Sequence, residues 1–230
     1  MFQLYVTRDA FYPMHPLLLP LLLIFVLISI SVHAQTTKKK FLALGDSYTI
    51  GESVSPEGRW PMQLVAELNK KGYHFEQPEI IATTGWRTDD LKKAILKQQP
   101  ATDYDLVSLL IGVNNQYQGL PAEQYAAEFE ELLQIAISHA AGDSSRVIVL
   151  SIPDYGYTPY GRESQQKISK ELNAYNAINK EIALKYGVRY YYITDTSRKG
   201  FENPSLIAGD GLHPSEKMYS QWVKLILKDF

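Results

Sequence analysis

The chain has 230 residues, 45% of them hydrophobic and 21% charged, and a net charge of −2. That length buries one sizeable core, not two, and a charge balance this close to neutral, without clustered Lys and Arg, gives no footing for a nucleic-acid partner. Lys38-Lys39-Lys40 is the one basic run and reads as a solvated flank. No cysteine occurs, which excludes disulfides, cysteine nucleophiles, thiolate metal sites and a lipoprotein anchor.

Near the N-terminus, residues 17–32 form an apolar stretch interrupted only by Pro20, Ser29 and Ser31, and Val32-His33-Ala34 places small residues where a signal peptidase needs them. This is the pattern of a secretory signal peptide over 1–34, cleaved between Ala34 and Gln35, with a domain over 35–230 exported to the periplasm or the medium. Translation from Met14 would give a leader of ordinary length. The lysines at 38–40 favour holding that flank on the cytoplasmic side. An uncleaved anchor, which would keep the protein at a membrane, therefore stands as the alternative, with a buried core helix as a third reading.

From Phe41 onward, short apolar runs alternate with helical patterns. The runs at 41–45, 79–83, 105–111, 146–152 and 188–193 are rich in Val, Ile, Leu and Tyr and nearly continuous, as strands covered on both faces require. Helices are predicted at 60–71, 88–98, 121–140, 162–186 and 214–228. Thr88 with Asp89 marks one start, and Pro121 and Pro214 suit the first turns of two others. Strands and helices in alternation give an α/β fold, a parallel sheet with helices on both faces. Ligands of such a sheet bind beyond the carboxyl ends of its strands, so the residues just after the strands are the ones to weigh.

Four segments there carry polar groups: Gly45-Asp46-Ser47-Tyr48 after the first strand, Thr84-Gly85-Trp86 after the second, Gly112-Val113-Asn114-Asn115 after the third, and Asp210-Gly211-Leu212-His213 before the last helix. Taken singly they are a helix cap, a turn glycine, a loop-capping pair and a common turn. Taken together they make one acyl-transfer site. A serine hydroxyl needs a base to take its proton, and His213 suits that task near neutral pH. Asp210 can hold the other imidazole nitrogen and fix the tautomer. The tetrahedral oxyanion needs donors aimed at it in advance, which the amides of Ser47 and Gly85 and the side chain of Asn114 would supply. Asp46 reads as a turn acceptor, and Asp154 as a loop acceptor before a second catalytic acid.

The same residues carry a resemblance. GDSYTIGE, TTGWRTDDL, GVNNQ and DGLHPS resemble the four sequence blocks of the SGNH hydrolases, the GDSL esterases and lipases, and the similarity spans nearly all of the chain from Phe41 onward. It implies a three-layer α/β/α, flavodoxin-like fold with a parallel five-stranded sheet of order 2-1-3-4-5. It also implies Ser47 as nucleophile, Gly85 and Asn114 as oxyanion donors, Asp210 and His213 as the rest of a triad, and neither metal nor organic cofactor. Tyr48 stands where many members have Leu. Asn115 stands where the third block usually has Asp, which puts in question the ionic support that Asp would give the neighbouring loop.

No G-x-S-x-G elbow, phosphate-binding loop, dinucleotide fingerprint or H-E-x-x-H motif occurs. Trp86, Tyr117 and Tyr155, with Tyr157 and Tyr160, follow strand ends and are candidates to line a substrate, although packing would also employ them. The expected function is hydrolysis of a small-molecule carboxylic ester of lysophospholipid or acyl-ester type. A carbohydrate acetyl esterase is the alternative within the fold, and a non-catalytic lipid- or glycan-binding module the alternative of another class.

Overall fold

The computed structural model describes residues 37–230 and, before them, only Met1 and Gln3. The apolar segment expected to be a signal peptide or anchor lies outside the described residues. Among those described, no helix is long and apolar enough to cross a membrane.

The elements follow in the order β1 (Phe41–Gly45), α1 (Ser47–Ile50), α2 (Trp60–Lys70), β2 (Glu79–Ala82), α3 (Thr88–Gln98), β3 (Leu106–Leu110) and α4 (Val113–Tyr117). Then come α5 (Ala122–His139), β4 (Val147–Leu150), α6 (Gln165–Lys185), β5 (Arg189–Tyr191), α7 (Thr194–Ser197) and α8 (Glu216–Ile226). The five strands form one parallel sheet of order 2-1-3-4-5. Every residue of β1, β3 and β4 is buried, whereas the edge strands β2 and β5 are only partly covered. That difference explains why the three central runs are the most continuously apolar.

The crossover connections of a parallel sheet place the long helices on its faces: α2 packs with α8, while α5 packs with both α3 and α6. Trp60 of α2 and Trp222 of α8 are fully buried, Trp60 against Phe41 of β1 and Trp222 edge-on to Tyr219. Burying side chains of this kind contributes about 1.5–3 kcal/mol each, so the layers are held mainly by their apolar faces. Register then places the site. Gly45 at the end of β1 pairs with Ala82 of β2 and Leu110 of β3, so the residues that follow all three strands emerge along one edge of the sheet.

Several boundaries differ from the sequence reading by a few residues, and two of them have a plain cause. The last strand is cut short because the amide of Ile193 turns back to the carbonyl of Tyr191 (3.1 Å), leading into α7. The last helix begins at Glu216, not at Pro214. Ser215 caps it, its Oγ accepting from Met218 N at 3.3 Å, while Pro214 bridges to Ile207 in extended form.

Candidate active site

At Gly45 a β-carbon would run into the Leu110 carbonyl and the Thr49 side chain, so only glycine lets the chain turn this close to β3. Asp46 then caps α1, accepting from Tyr48 N at 3.0 Å. Asp46 is fully buried, and its other oxygen, Oδ2, has no hydrogen-bond partner among the described residues. Burial pushes its carboxyl up to about 7 against the pull of nearby backbone amides. Ser47 is the first residue of α1, so its N–H has no intrahelical acceptor. It is 5% exposed, and its hydroxyl makes no hydrogen bond to another described residue.

Ser47 lines a cavity of about 180 Å³ with Tyr48, Val113, Asn114, Leu212 and His213, and three tyrosines close it. His213 is nearly buried, with the Tyr48 ring edge-on at 5.9 Å. Its Nδ1 meets Asp210 Oδ2 at 2.7 Å. The amides of Leu212 and His213 both donate to Asp210 Oδ1 at 2.9 Å, and Ser53 Oγ donates to Oδ2 at 2.6 Å. Burial pushes the Asp210 carboxyl up, but these donors outweigh it and hold the group well below the usual carboxylate range. A carboxylate so held fixes Nδ1 of His213 as the protonated nitrogen and leaves Nε2 free to accept a proton.

Asn114, on α4, donates from Nδ2 to the Trp86 carbonyl at 2.8 Å. That bond uses one amide hydrogen and fixes the plane of the group, leaving the second hydrogen on the nitrogen. Gly85 adopts φ +86°, which favours glycine, in a turn closed by Trp86 N to Thr83 O at 3.3 Å. Gly85 is exposed, and Trp86 is half-buried and packs partly against the core. What ties Trp86 to the site is its carbonyl, which accepts from Asn114 Nδ2.

Tyr117 and Tyr155, expected near the mouth, do line the cavity, together with Tyr160. The hydroxyls of Tyr117 and Tyr160 meet at 2.6 Å, and the Tyr155 ring stands edge-on to Tyr117 at 6.3 Å. The same three rings border a larger groove of about 560 Å³, lined also by Gln116, Lys167 and Glu171. Asp154, just before Tyr155, is the loop acceptor expected of it. It is fully buried and takes Arg198 Nε at 2.9 Å, Ser169 Oγ at 2.6 Å and Gly156 N at 3.0 Å.

Asn115 is fully buried and bridges α4 to the start of α3. Its Oδ1 accepts from Thr88 N at 3.1 Å, and its Nδ2 donates to Thr88 Oγ1 at 2.6 Å. The Thr88 hydroxyl in turn donates to Glu128. An amide at 115 lets the Thr88 hydroxyl donate onward to Glu128; an Asp there would take that proton for itself and set a second carboxylate beside Glu128. Asn115→Asp is expected to lower stability by about 1–3 kcal/mol, the cost of a broken buried network, and Glu128→Gln added to it should recover part of that. Urea midpoints of the single and double variants measure both. An unchanged midpoint in Asn115→Asp would show that the network contributes nothing.

Sequence reasoning did not find Ser53, Leu212 or Val113. Val113 and Leu212 sit inside the quoted blocks, where position alone could have suggested them; Ser53 carries no signal beyond lying in the loop after Ser47. Among the described residues no group of three or more His, Asp or Glu is placed to hold a metal ion.

A parallel sheet of order 2-1-3-4-5 with a serine at the turn after β1 and a His–Asp pair before the last helix defines a three-layer α/β/α protein of the flavodoxin-like class. The chain belongs to the GDSL-like Lipase/Acylhydrolase family, whose model matches residues 43–221. Solved structures share the fold. A lipase/acylhydrolase from Enterococcus faecalis is 23% identical (TM-score 0.59), the match covering 83% of this chain and 94% of that one. Axe2, an acetylxylan esterase from Geobacillus stearothermophilus, is 18% identical (TM-score 0.61; 83% and 93%). A lipolytic protein of the G-D-S-L family from Veillonella parvula is 16% identical (TM-score 0.64; 84% and 98%). No curated protein sequence matches the chain.

Proposed function

We propose that this protein is a serine ester hydrolase in which Ser47 Oγ attacks the acyl carbon, His213 Nε2 takes the serine proton, and Asp210 holds the imidazole. The observation that carries the reading is that His213, its Nδ1 on the fully hydrogen-bonded Asp210 carboxylate, lines the same cavity as Ser47, whose hydroxyl has no partner among the described residues. In the first half-reaction the new Ser47–acyl bond forms and the ester C–O bond breaks, His213 passing its proton to the leaving alcohol. Water, deprotonated by the same nitrogen, then releases the acid and restores Ser47. Asn114 and the amides of Ser47 and Gly85 are the proposed donors to the oxyanion.

The small cavity supports a short acyl group. The cavity of about 180 Å³ over Ser47 is about a third the size of the adjoining groove of about 560 Å³. The adjoining groove, with Gln116, Lys167, Glu171 and tyrosine hydroxyls in its walls, suits a polar alcohol better than a long alkyl chain. That observation favours an acetylated sugar or another polyol ester as the second reading, beside a lysophospholipid. Residues 35–230 assayed on p-nitrophenyl esters of graded acyl length, and on acetylated xylo-oligosaccharides, test this. kcat/KM is expected to peak at two to four acyl carbons and to fall at least about tenfold by twelve, as chains outgrow the cavity. A maximum at twelve or more would place the acyl chain in the groove and overturn the short-acyl assignment.

A further inference from the structure

We propose that Ser53 is a positioning residue for the Asp210–His213 pair, fixing the carboxylate that orients the base and tying it to the turn that carries Ser47. The inference rests on the esterase reading above. Ser53 lies 157 residues from Asp210 in sequence, yet its Oγ donates to Asp210 Oδ2 at 2.6 Å. That is the same oxygen that meets His213 Nδ1. Each Asp210 oxygen thus has two donors: the amides of Leu212 and His213 on Oδ1, the imidazole and the Ser53 hydroxyl on Oδ2.

Three of those donors come from the loop that carries Asp210 itself, so they fix the carboxylate only relative to its own chain segment. Ser53 alone comes from the other side. The segment bearing it is bound to the nucleophile turn: Gly51 N and Glu52 N both donate to Ser47 O, at 3.0 and 3.1 Å, and Val54 N donates to Gly51 O at 3.3 Å. Two residues on, Ser55 Oγ donates to Glu216 at the start of α8 at 2.8 Å. The loop therefore joins the nucleophile to the acid and base through few, short links, and the Ser53 hydroxyl is the one that touches the acid.

The backbone at Ser53 supplies a second, independent observation. Its φ is +65°, the left-handed region where a β-carbon is unfavourable and glycine is the usual occupant. Glycine would adopt that conformation without strain, so the serine carries a backbone cost that glycine would not. The side chain has one hydrogen bond as donor, and its acceptor is Asp210.

The bond is solvent-exposed, and water can replace part of it. Its loss should therefore act on orientation, not abolish turnover. Ser53→Gly and Ser53→Ala are each expected to lower kcat for a short acyl ester about 3- to 10-fold, with KM within about twofold. The melting temperature of Ser53→Gly should be unchanged or raised, because the strain is relieved. A merely structural role would give the opposite pattern, with Ser53→Gly neutral or better in rate. In an Asp210→Asn background, itself expected to lose more than about 100-fold, adding Ser53→Gly should cost less than about twofold, because residues acting through one group are not additive.

The outcomes separate the two claims. If Asp210→Asn loses activity while Ser53→Gly keeps the wild-type kcat, the role given to Ser53 is overturned and the esterase reading stands. If Ser53→Gly loses rate but Ser53→Ala does not, flexibility and not the hydroxyl is responsible, and the proposal fails. Full additivity with Asp210→Asn also overturns it, since Ser53 would then act elsewhere. If Asp210→Asn itself retains wild-type turnover, the proposed triad falls and this inference falls with it.

Discussion

Ser47→Ala is expected to lower kcat/KM for a short acyl ester by about 10⁵- to 10⁶-fold, leaving the small turnover that binding and the oxyanion donors provide alone. The size of the loss follows from what the hydroxyl does: it is the only atom proposed to bond to the acyl carbon, and nothing else in the cavity wall can replace it. The fold should be indifferent. The hydroxyl has no hydrogen-bond partner among the described residues, and alanine is at ease in a helix, so stability should change by no more than about 0.5 kcal/mol. Urea unfolding of the variant and the parent, beside rates on one ester, measures both quantities. A serine-directed phosphonate should add its mass to the parent at Ser47 and fail to label the variant. If Ser47→Ala kept more than about 1% of the parent rate, the nucleophile would lie elsewhere and the mechanism would be wrong.

How much of this the sequence discloses depends on how far each signal reaches along the chain. The buried strands are legible because a central strand of a parallel sheet must be apolar on both faces, and Phe41–Gly45, Leu106–Leu110 and Val147–Leu150 are, with Ser108 the one polar residue among them. The four long-range site positions, Ser47, Asn114, Asp210 and His213, are legible because each stands in a local block whose residue types suit one chemistry. Helices of four or five residues such as α1, α4 and α7 are not, since a single turn is too short to show a 3.6-residue period. Trp86 illustrates a different limit: the sequence places it after a strand end but cannot say that its carbonyl accepts from Asn114. Asn115 is another. Its departure from the usual Asp is plain in sequence, but its meaning lies in Thr88 and Glu128, which come near it only when α3, α4 and α5 are packed. Ser53 is illegible for the same reason, because its partner is 157 residues away.

Asn114→Ala is expected to lower kcat about 10²- to 10³-fold, or about 3–4 kcal/mol, with KM changed by less than about threefold. The asymmetry comes from when the interaction is made. In the proposed mechanism a neutral ester carbonyl gains little from the Asn114 amide, whereas the tetrahedral intermediate would place a full negative charge where that amide could donate. The amide gives this help at no cost in reorganisation only if it is already held. The Trp86 carbonyl holds it, accepting one Nδ2 hydrogen at 2.8 Å. Asn114→Asp sharpens the test because it keeps the shape and removes the donor. It would also set a carboxylate oxygen against the Trp86 carbonyl and a negative charge beside the developing oxyanion, so its kcat should be no higher than that of Asn114→Ala. Steady-state rates on one short acyl ester for both variants decide the matter. If KM rises and kcat holds in Asn114→Ala, the residue binds ground-state substrate and the oxyanion role is wrong. If Asn114→Asp is the faster of the two, shape matters more there than hydrogen-bond donation, and the electrostatic account of this position fails.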